Sequence, residues 1–140
     1  MDSLSLISLA FQMMASVHSL SGLAVPGYIP EIHRAPLAEI RERFCHGNCA
    51  VEAFYAPEDG IYIDEALDLD NDEYARSILL HELVHHMQRV TGTFQRIPSP
   101  CVRWFAAERQ AYEIQNRYLE EIHDSHRVNV NAWRNARCDD

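Results

Sequence analysis

The chain has 140 residues, 47% of them hydrophobic, which is enough to build the core of one globular domain. Its formal net charge is −9, and all twelve of its basic residues are arginine. Because the balance is acidic and no basic cluster is present, the composition argues against nucleic acid as a partner. We interpret residues 1–140 as a single domain. Residues 124–140 form a C-terminal extension, whose Val128, Val130 and Trp133 are expected to dock on the body.

The first 25 residues are nearly uncharged and largely apolar. A signal peptide has a basic n-region and an unbroken apolar core, whereas this segment has Asp2, no Lys or Arg, and a polar interruption at His18. It is also too polar to be predicted as a membrane span. We predict a helix over about residues 3–20 that packs on the core and ends near Gly22. A degenerate or trimmed export signal is the alternative.

Short elements are predicted between residues 31 and 64. Residues 31–35 have the pattern of a short strand, and residues 36–44 predict a helix with proline in its first turn. Two further apolar stretches, 50–56 and 61–64, flank a turn sequence and predict a β-hairpin. Together with the helices that precede and follow, these strands indicate an α+β fold with a short antiparallel or mixed sheet of about three strands.

The next predicted helix covers residues 72–90, after an acidic connection that lacks the pattern of a calcium-binding loop. Asp72 and Glu73 suit a helix N-terminus, Arg89 suits the last turn, and Gly92 lies just past the end. The apolar residues form one broad arc of the helix, which should face the core. They are Leu79, Leu80, Leu83, Val84, Met87 and Val90.

This helix contains H-E-L-V-H at residues 81–85, the H-E-x-x-H pattern of zinc hydrolases. His81 and His85 are separated by about 40° around the helix, so both can bind one metal ion. Glu82 is then placed as a general base beside a metal-bound water. His86 points about 140° from His81 and is not expected to be a ligand. The alternative is a pair of surface histidines on an ordinary amphipathic helix.

A catalytic zinc usually has three protein ligands, and Glu108 is the best candidate for the third. Residues 102–123 predict a helix, and Glu108 projects from the centre of its apolar face. An unpaired carboxylate there would be costly, so a cation supplied by the other helix is the economical partner. The alternative is a buried glutamate bonded to an arginine or to loop amides. The apolar face comprises Cys101, Trp104, Phe105, Ala111, Tyr112, Tyr118, Leu119 and Ile122.

Three segments, G-I-Y-I-D-E-A-L-D, H-E-L-V-H-H-M-Q and E-R-Q-A-Y-E-I-Q-N-R-Y-L, carry a resemblance over roughly residues 31–122. They resemble the gluzincin class of zinc metallopeptidases, and in detail a small bacterial family of one-domain proteins of this class. The resemblance implies His81, His85 and Glu108 as zinc ligands and Glu82 as the catalytic acid/base. It also implies a zincin-like fold, in which a sheet beside the active-site helix aligns an extended peptide on its edge strand.

The surroundings of the zinc ligands depart from this class at one position. Many larger gluzincins have an Asp four residues after the ligand Glu, where this chain has Tyr112. We predict Tyr112 as the oxyanion donor, with a core tyrosine as the alternative. One of Asp64 or Asp68 is the hypothesised partner that orients a zinc histidine. Gln115 is expected either to bond a ligand carboxylate or to cap a buried backbone group.

The four cysteines allow three pairings. A local Cys45–Cys49 bridge and a bridge from Cys101 to Cys45 or Cys49 are the two structural interpretations. A third interpretation is that Cys45, His46 and Cys49 are soft metal ligands. If disulfides form, the compartment is oxidising, meaning the periplasm or the exterior; otherwise the protein is cytoplasmic.

The sequence therefore predicts a zinc metallopeptidase that acts on a peptide or protein substrate. The main alternative is a non-catalytic domain, stabilised by zinc and used for binding or regulation. Glu82 disfavours that alternative, because a purely structural site has no use for a base. Hydrolysis of a non-peptide amide, such as one in the cell wall, is a weaker third hypothesis.

Overall fold

The structure is a computed structural model that describes residues 1–47, 49–131 and 137–138. Within these residues the chain forms four helices and three strands, which confirms the predicted α+β fold. The elements are α1 (Ser3–Ser21), β1 (Ile32–Ala35), α2 (Leu37–Cys45), β2 (Ala53–Ala56), β3 (Gly60–Asp64), α3 (Glu73–Thr91) and α4 (Pro100–Glu121).

The ends of α3 lie where the sequence predicts them. The Asp72 side chain accepts hydrogen bonds from the backbone N–H groups of Tyr74 and Ala75, at 2.9 and 3.3 Å. Such an N-cap contributes about 1 kcal/mol. At the other end, Gly92 adopts a left-handed conformation with φ of 66°, which glycine adopts without steric cost. These two residues fix where the helix that carries the H-E-x-x-H pattern starts and stops.

The three strands form one mixed sheet in the order β1-β3-β2. Strand β1 pairs with β3 in parallel, and β2 pairs with β3 as the predicted antiparallel hairpin. Ile61 and Ile63 on β3 are fully buried on the side of the core. On the other face, Tyr62 packs against Phe44 of α2, with ring centroids 5.0 Å apart. Because β2 stands at one end of the order β1-β3-β2, it is an edge strand of the sheet.

Helix α3 lies at the centre of the fold, against α1, α4 and the sheet. Five of the six residues in its predicted apolar arc are fully buried, and only Val90, near the end, is exposed. Each such side chain contributes about 1.5–3 kcal/mol by leaving water. Helix α1 covers α3 with buried residues such as Met13 and Met14, which confirms that the N-terminal apolar segment packs on the core.

By length and composition, α1 is the one helix among those described that could cross a membrane, with 33% of its apolar window buried. Core helices of soluble proteins and signal sequences share these features. The feature is therefore weak evidence for a membrane span.

The predicted apolar face of α4 is only partly correct. Ala111 and Leu119 are buried, but Trp104 is 52% exposed and Ile122 is 36% exposed. Ile114, outside the predicted face, is buried instead. The periodicity identified a helix, but it did not reveal that the first half of this helix borders a cleft.

All four cysteines are paired, as Cys45–Cys49 and Cys101–Cys138. The local bridge is confirmed. A bridge from Cys101 to Cys45 or Cys49 is wrong, because the start of α4 is bonded to Cys138 in the C-terminal extension. None of the four cysteines is a free thiol. The interpretation of Cys45, His46 and Cys49 as soft metal ligands is therefore wrong.

The C-terminal extension is also held by Asn116 of α4. The Asn116 side-chain amide donates to the Val128 carbonyl and accepts from the Val128 N–H, both at 2.7 Å. Val128 is therefore docked on the body, as predicted, and Val130 is half-buried. Trp133, which was also expected to dock, lies outside the described residues.

Candidate metal centre

Three side chains from two helices converge on one point. His81 and His85 lie one turn apart on α3, and α4 brings Glu108 against them. The Nε2 atom of His81 lies 3.2 Å from Nε2 of His85 and 3.3 Å from Oε1 of Glu108. Nε2 of His85 contacts the same carboxylate oxygen. We call these three residues the ligand cluster.

The ligand cluster fits a small divalent cation. Zinc binds histidine nitrogen and carboxylate oxygen at about 2.0–2.2 Å, so donor atoms in a tetrahedral zinc site lie roughly 3.3–3.5 Å apart. The separations of 3.2 and 3.3 Å from His81 are close to this, and all three donor atoms lie within 4.8 Å of one another. Two imidazoles and one carboxylate also form a donor set of catalytic zinc sites. The group can therefore hold a metal ion.

The charges in the ligand cluster are strongly coupled. Burial raises the pKa of Glu108, but its hydrogen bonds with His81 and His85 outweigh burial and lower the pKa to about 2. Burial lowers the pKa of His85, but the hydrogen bond with Glu108 and the charges of Glu82 and Glu108 raise it to about 9. In the metal-free protein at neutral pH, a proton on His85 therefore balances the Glu108 carboxylate.

Glu82 lies beside the ligand cluster without being part of it. Its side chain is buried, and Oε2 is 3.9 Å from Nε2 of His81. Burial raises the pKa of Glu82, and the charges of His81 and His85 act in the opposite direction. The structure thus places a carboxylate that binds a proton readily next to the donor atoms of the ligand cluster.

Two glutamines contact the other nitrogen atoms of the histidines. Nδ1 of His81 lies 3.1 Å from Oε1 of Gln115, and Nδ1 of His85 lies 2.9 Å from Oε1 of Gln88. Gln115 therefore bonds a histidine of the ligand cluster, rather than its carboxylate or a backbone group. The sequence reasoning missed Gln88. Its spacing of three residues from His85 on one helix is the signal that could have identified it.

The hypothesis that Asp64 or Asp68 orients a zinc histidine is wrong. Asp64 accepts a hydrogen bond from the backbone N–H of Ala66, at 3.0 Å. Asp68 accepts from the backbone N–H groups of Asp70 and Asn71, at 3.2 Å each. Both carboxylates therefore accept hydrogen bonds within the loop before α3, while glutamines contact the Nδ1 atoms of the histidines.

Tyr112 packs against the ligand cluster. Its ring centroid is 4.3 Å from that of His81, with 49° between the planes. Burial, followed by the charges of Glu108 and Glu82, raises the pKa of Tyr112. Its hydroxyl therefore keeps its proton at neutral pH, and its ring lies against one member of the ligand cluster.

Comparison with known proteins assigns the chain to one family. The family model described as "Domain of unknown function (DUF6647)" matches residues 21–140. The chain belongs to this family. No curated protein and no solved structure matches it.

All members of the ligand cluster lie within the part of the chain that the DUF6647 model covers, as does Glu82. Helix α1, by contrast, precedes it almost entirely. His86 of this DUF6647 domain faces away from the cluster, as predicted. It is buried, and its Nδ1 atom is 3.0 Å from the hydroxyl of Tyr55 on β2.

The ligand cluster of the DUF6647 domain opens onto a cleft of about 1100 Å³. One wall is formed by residues 50–55, which include part of the edge strand β2. Aromatic side chains also line the cleft, among them Phe54 in this wall and Phe94 and Trp104 elsewhere. The cleft is large enough for several residues of a peptide, because ligand sites typically measure about 300–1,000 Å³.

Proposed function

We propose that this protein is a zinc-dependent hydrolase, most specifically a small metallopeptidase of the gluzincin type with a zincin-like fold. The observation that carries the proposal is the convergence of donor atoms from His81, His85 and Glu108 to within 4.8 Å of one another, beside buried Glu82 and on the wall of an open cleft. A zinc ion held by these residues would supply Lewis acidity, which acidifies water and polarises a carbonyl.

Glu82 is the general base of the proposed reaction. Its buried carboxylate takes a proton from the attacking water and then passes it to the leaving amine. The raised pKa of Glu82 supports this role, because a carboxylate with a higher proton affinity is the better acceptor. Tyr112, with its protonated hydroxyl, donates a hydrogen bond to the oxygen that becomes negative in the transition state.

The edge strand β2 provides the binding surface for an extended peptide. An edge strand has a row of backbone groups that lack strand partners, and a peptide can add to it as a further strand. Residues 50–55 line the cleft onto which the ligand cluster opens, so a peptide on this edge would pass the metal-binding atoms. This arrangement supports a peptide substrate over a compact one, such as a cell-wall amide.

The two disulfides support a location outside the reducing cytoplasm. Structural disulfides form and persist in the periplasm or outside the cell, whereas cytosolic thiols are kept reduced. Since all four cysteines are paired, we propose that the protein acts in such an oxidising compartment.

The test is zinc analysis combined with digestion of a broad peptide library. We expect the protein to bind zinc and to cleave peptides. The Glu82→Gln variant should bind zinc with similar affinity but lose on the order of 10²–10⁴-fold in rate, since it lacks the base. The matched control is Glu120→Gln on the exposed surface of α4, which should cleave like the unsubstituted protein.

Three outcomes separate the hypotheses. Zinc binding with cleavage that depends on Glu82 supports the peptidase. Zinc binding without any cleavage that the Glu82→Gln variant lacks contradicts it and favours the non-catalytic binding or regulatory domain. Failure to bind zinc contradicts both.

A further inference from the structure

The hydrogen-bond chain behind His81 has a defined direction. The Ser77 hydroxyl donates its only hydrogen to the Tyr74 carbonyl, at 2.6 Å, because a carbonyl can only accept. Ser77 Oγ must therefore accept from the Gln115 amide nitrogen, which lies at 3.0 Å. This orients the Gln115 carbonyl oxygen towards Nδ1 of His81. Ser77, Gln115 and His81 are all buried, so the chain is shielded from water.

A second chain behind His85 has the same direction. The Gln88 amide nitrogen donates to the carbonyl of Ala107, at 3.0 Å, and contacts Oε1 of Gln110 at 2.9 Å. A backbone carbonyl cannot donate, so the orientation of the Gln88 amide is fixed. Its oxygen therefore faces Nδ1 of His85, at 2.9 Å.

A carbonyl oxygen opposite Nδ1 requires that Nδ1 carries the hydrogen. In a neutral imidazole the lone pair then lies on Nε2, which is the atom that both histidines direct into the ligand cluster. If either amide were reversed, its NH₂ group would face Nδ1 and the hydrogen would move to Nε2, where it would block the metal. The two amides thus select the tautomer that can bind a metal.

We propose that Gln115 and Gln88 are positioning residues that keep a hydrogen on Nδ1 of His81 and His85, so that Nε2 is the nitrogen that binds the metal. This inference rests on the proposed zinc site. It also fixes the charge of that site. Both outer partners are neutral amides, so Glu108 contributes the only negative charge of the ligand cluster and these two partners. A carboxylate behind either histidine would add another and raise the basicity of the ligand.

The test measures zinc dissociation constants by competition with a chelator, so it does not depend on enzyme activity. Gln115→Leu and Gln88→Leu should each weaken zinc binding by roughly 10–100-fold, the usual effect of removing an outer partner. Gln95→Leu is the matched control. Gln95 lines the same cleft but is exposed and makes no described contact with the histidines, so its zinc affinity should stay unchanged.

Gln115→Glu distinguishes positioning from packing. The carboxylate keeps an acceptor opposite Nδ1, so zinc affinity should return to the unsubstituted value or exceed it. The same variant should unfold at a lower temperature without zinc, because it buries a charge. A packing role alone would make affinity and stability fall together.

The ring tautomer of His81 in the unsubstituted, metal-free protein is a second readout, measured by ¹⁵N NMR, and it requires no variant. A hydrogen on Nδ1 supports the proposal, whereas a hydrogen on Nε2 alone overturns it. Unchanged zinc affinity in both leucine variants also overturns it, while the proposed function survives. If the unsubstituted protein binds no zinc, the proposed function fails first, and this inference fails with it.

Discussion

The two helices that form the candidate metal centre differ in how they are packed. Every residue of α3 from 79 to 84 is buried, and this stretch includes His81 and Glu82. On α4, none of the residues from 100 to 110 is fully buried, although Glu108 lies among them. The site therefore lies between two differently packed segments. Helix α3 is surrounded by the core at this point, whereas the first half of α4 borders a cleft.

This difference indicates that the two helices contribute different things. The α3 segment fixes His81 and Glu82, a proposed ligand and the proposed base, relative to one another, since a close-packed core leaves little room for adjustment. The α4 segment supplies one proposed ligand, Glu108, and the aromatic wall of the cleft, where Trp104 is half exposed. A metal ion bound to both would connect the rigid helix to the less constrained one.

The largest expected effect comes from removing the ligand that α4 supplies. Glu108→Ala leaves two histidines and no carboxylate, so zinc affinity should fall by more than the roughly 10–100-fold that loss of an outer partner costs. Peptide cleavage should be lost with it. Zinc titration of this variant beside Glu113→Ala, on the same helix, measures the effect. Equal zinc affinity in the two variants would show that α4 contributes no ligand.

The next effect concerns the proton that balances Glu108 when zinc is absent. The pKa of His85 is raised from 6.5 to about 9 in the folded protein. The stabilisation from this proton is therefore complete below about pH 6.5 and is lost as the pH rises through about 9. Thermal unfolding of the metal-free protein should show a falling melting temperature over this range.

Zinc should reverse that trend, because the metal replaces the proton and binds better as its ligands lose their protons. The difference in melting temperature between zinc-loaded and metal-free protein should therefore widen as the pH rises. The Glu108→Ala variant is the control for the proton, since His85 then lacks its partner. A metal-free melting temperature that stays level from about pH 6.5 to 9 would contradict this account.

The smallest effect compares the two helices by one substitution on each. Val84 on α3 is fully buried, whereas Val102 on α4 is 42% exposed. Val84→Ala should lower the free energy of unfolding by about 2 kcal/mol, from lost burial and a residual cavity. Val102→Ala should change it by less than about 0.5 kcal/mol. Urea denaturation measures both, and similar losses would mean that the first half of α4 is packed as tightly as α3.

Much of the fold was predictable because its signals are local. Asp72 and Gly92 mark the ends of α3 through capping and a left-handed backbone. The hairpin followed from two apolar stretches around a turn, and the order of elements followed from periodicity. The parallel pairing of β1 with β3 joins segments that are distant in the sequence, so no local signal could predict it.

The candidate site divides in the same way. The spacing of His81 and His85 places their rings together on any α-helix, so the sequence alone determines that half of the site. The position of Glu108 was an expectation from the cost of burying an unpaired carboxylate, and only the packing of α4 on α3 brings it within reach. The hypothesis that Asp64 or Asp68 orients a zinc histidine was wrong, and the side chains that contact Nδ1 of the two histidines are Gln115 and Gln88.

By itself, then, the sequence determined the helices, the hairpin and the pair of histidines, because capping, hydrophobic periodicity and helical spacing act over a few residues. The tertiary structure alone decided that Cys101 pairs with Cys138 and that Gln115 faces His81. It also decided that Trp104 borders a cleft instead of the core. These contacts depend on how whole elements pack, and many different packings are compatible with the same local pattern.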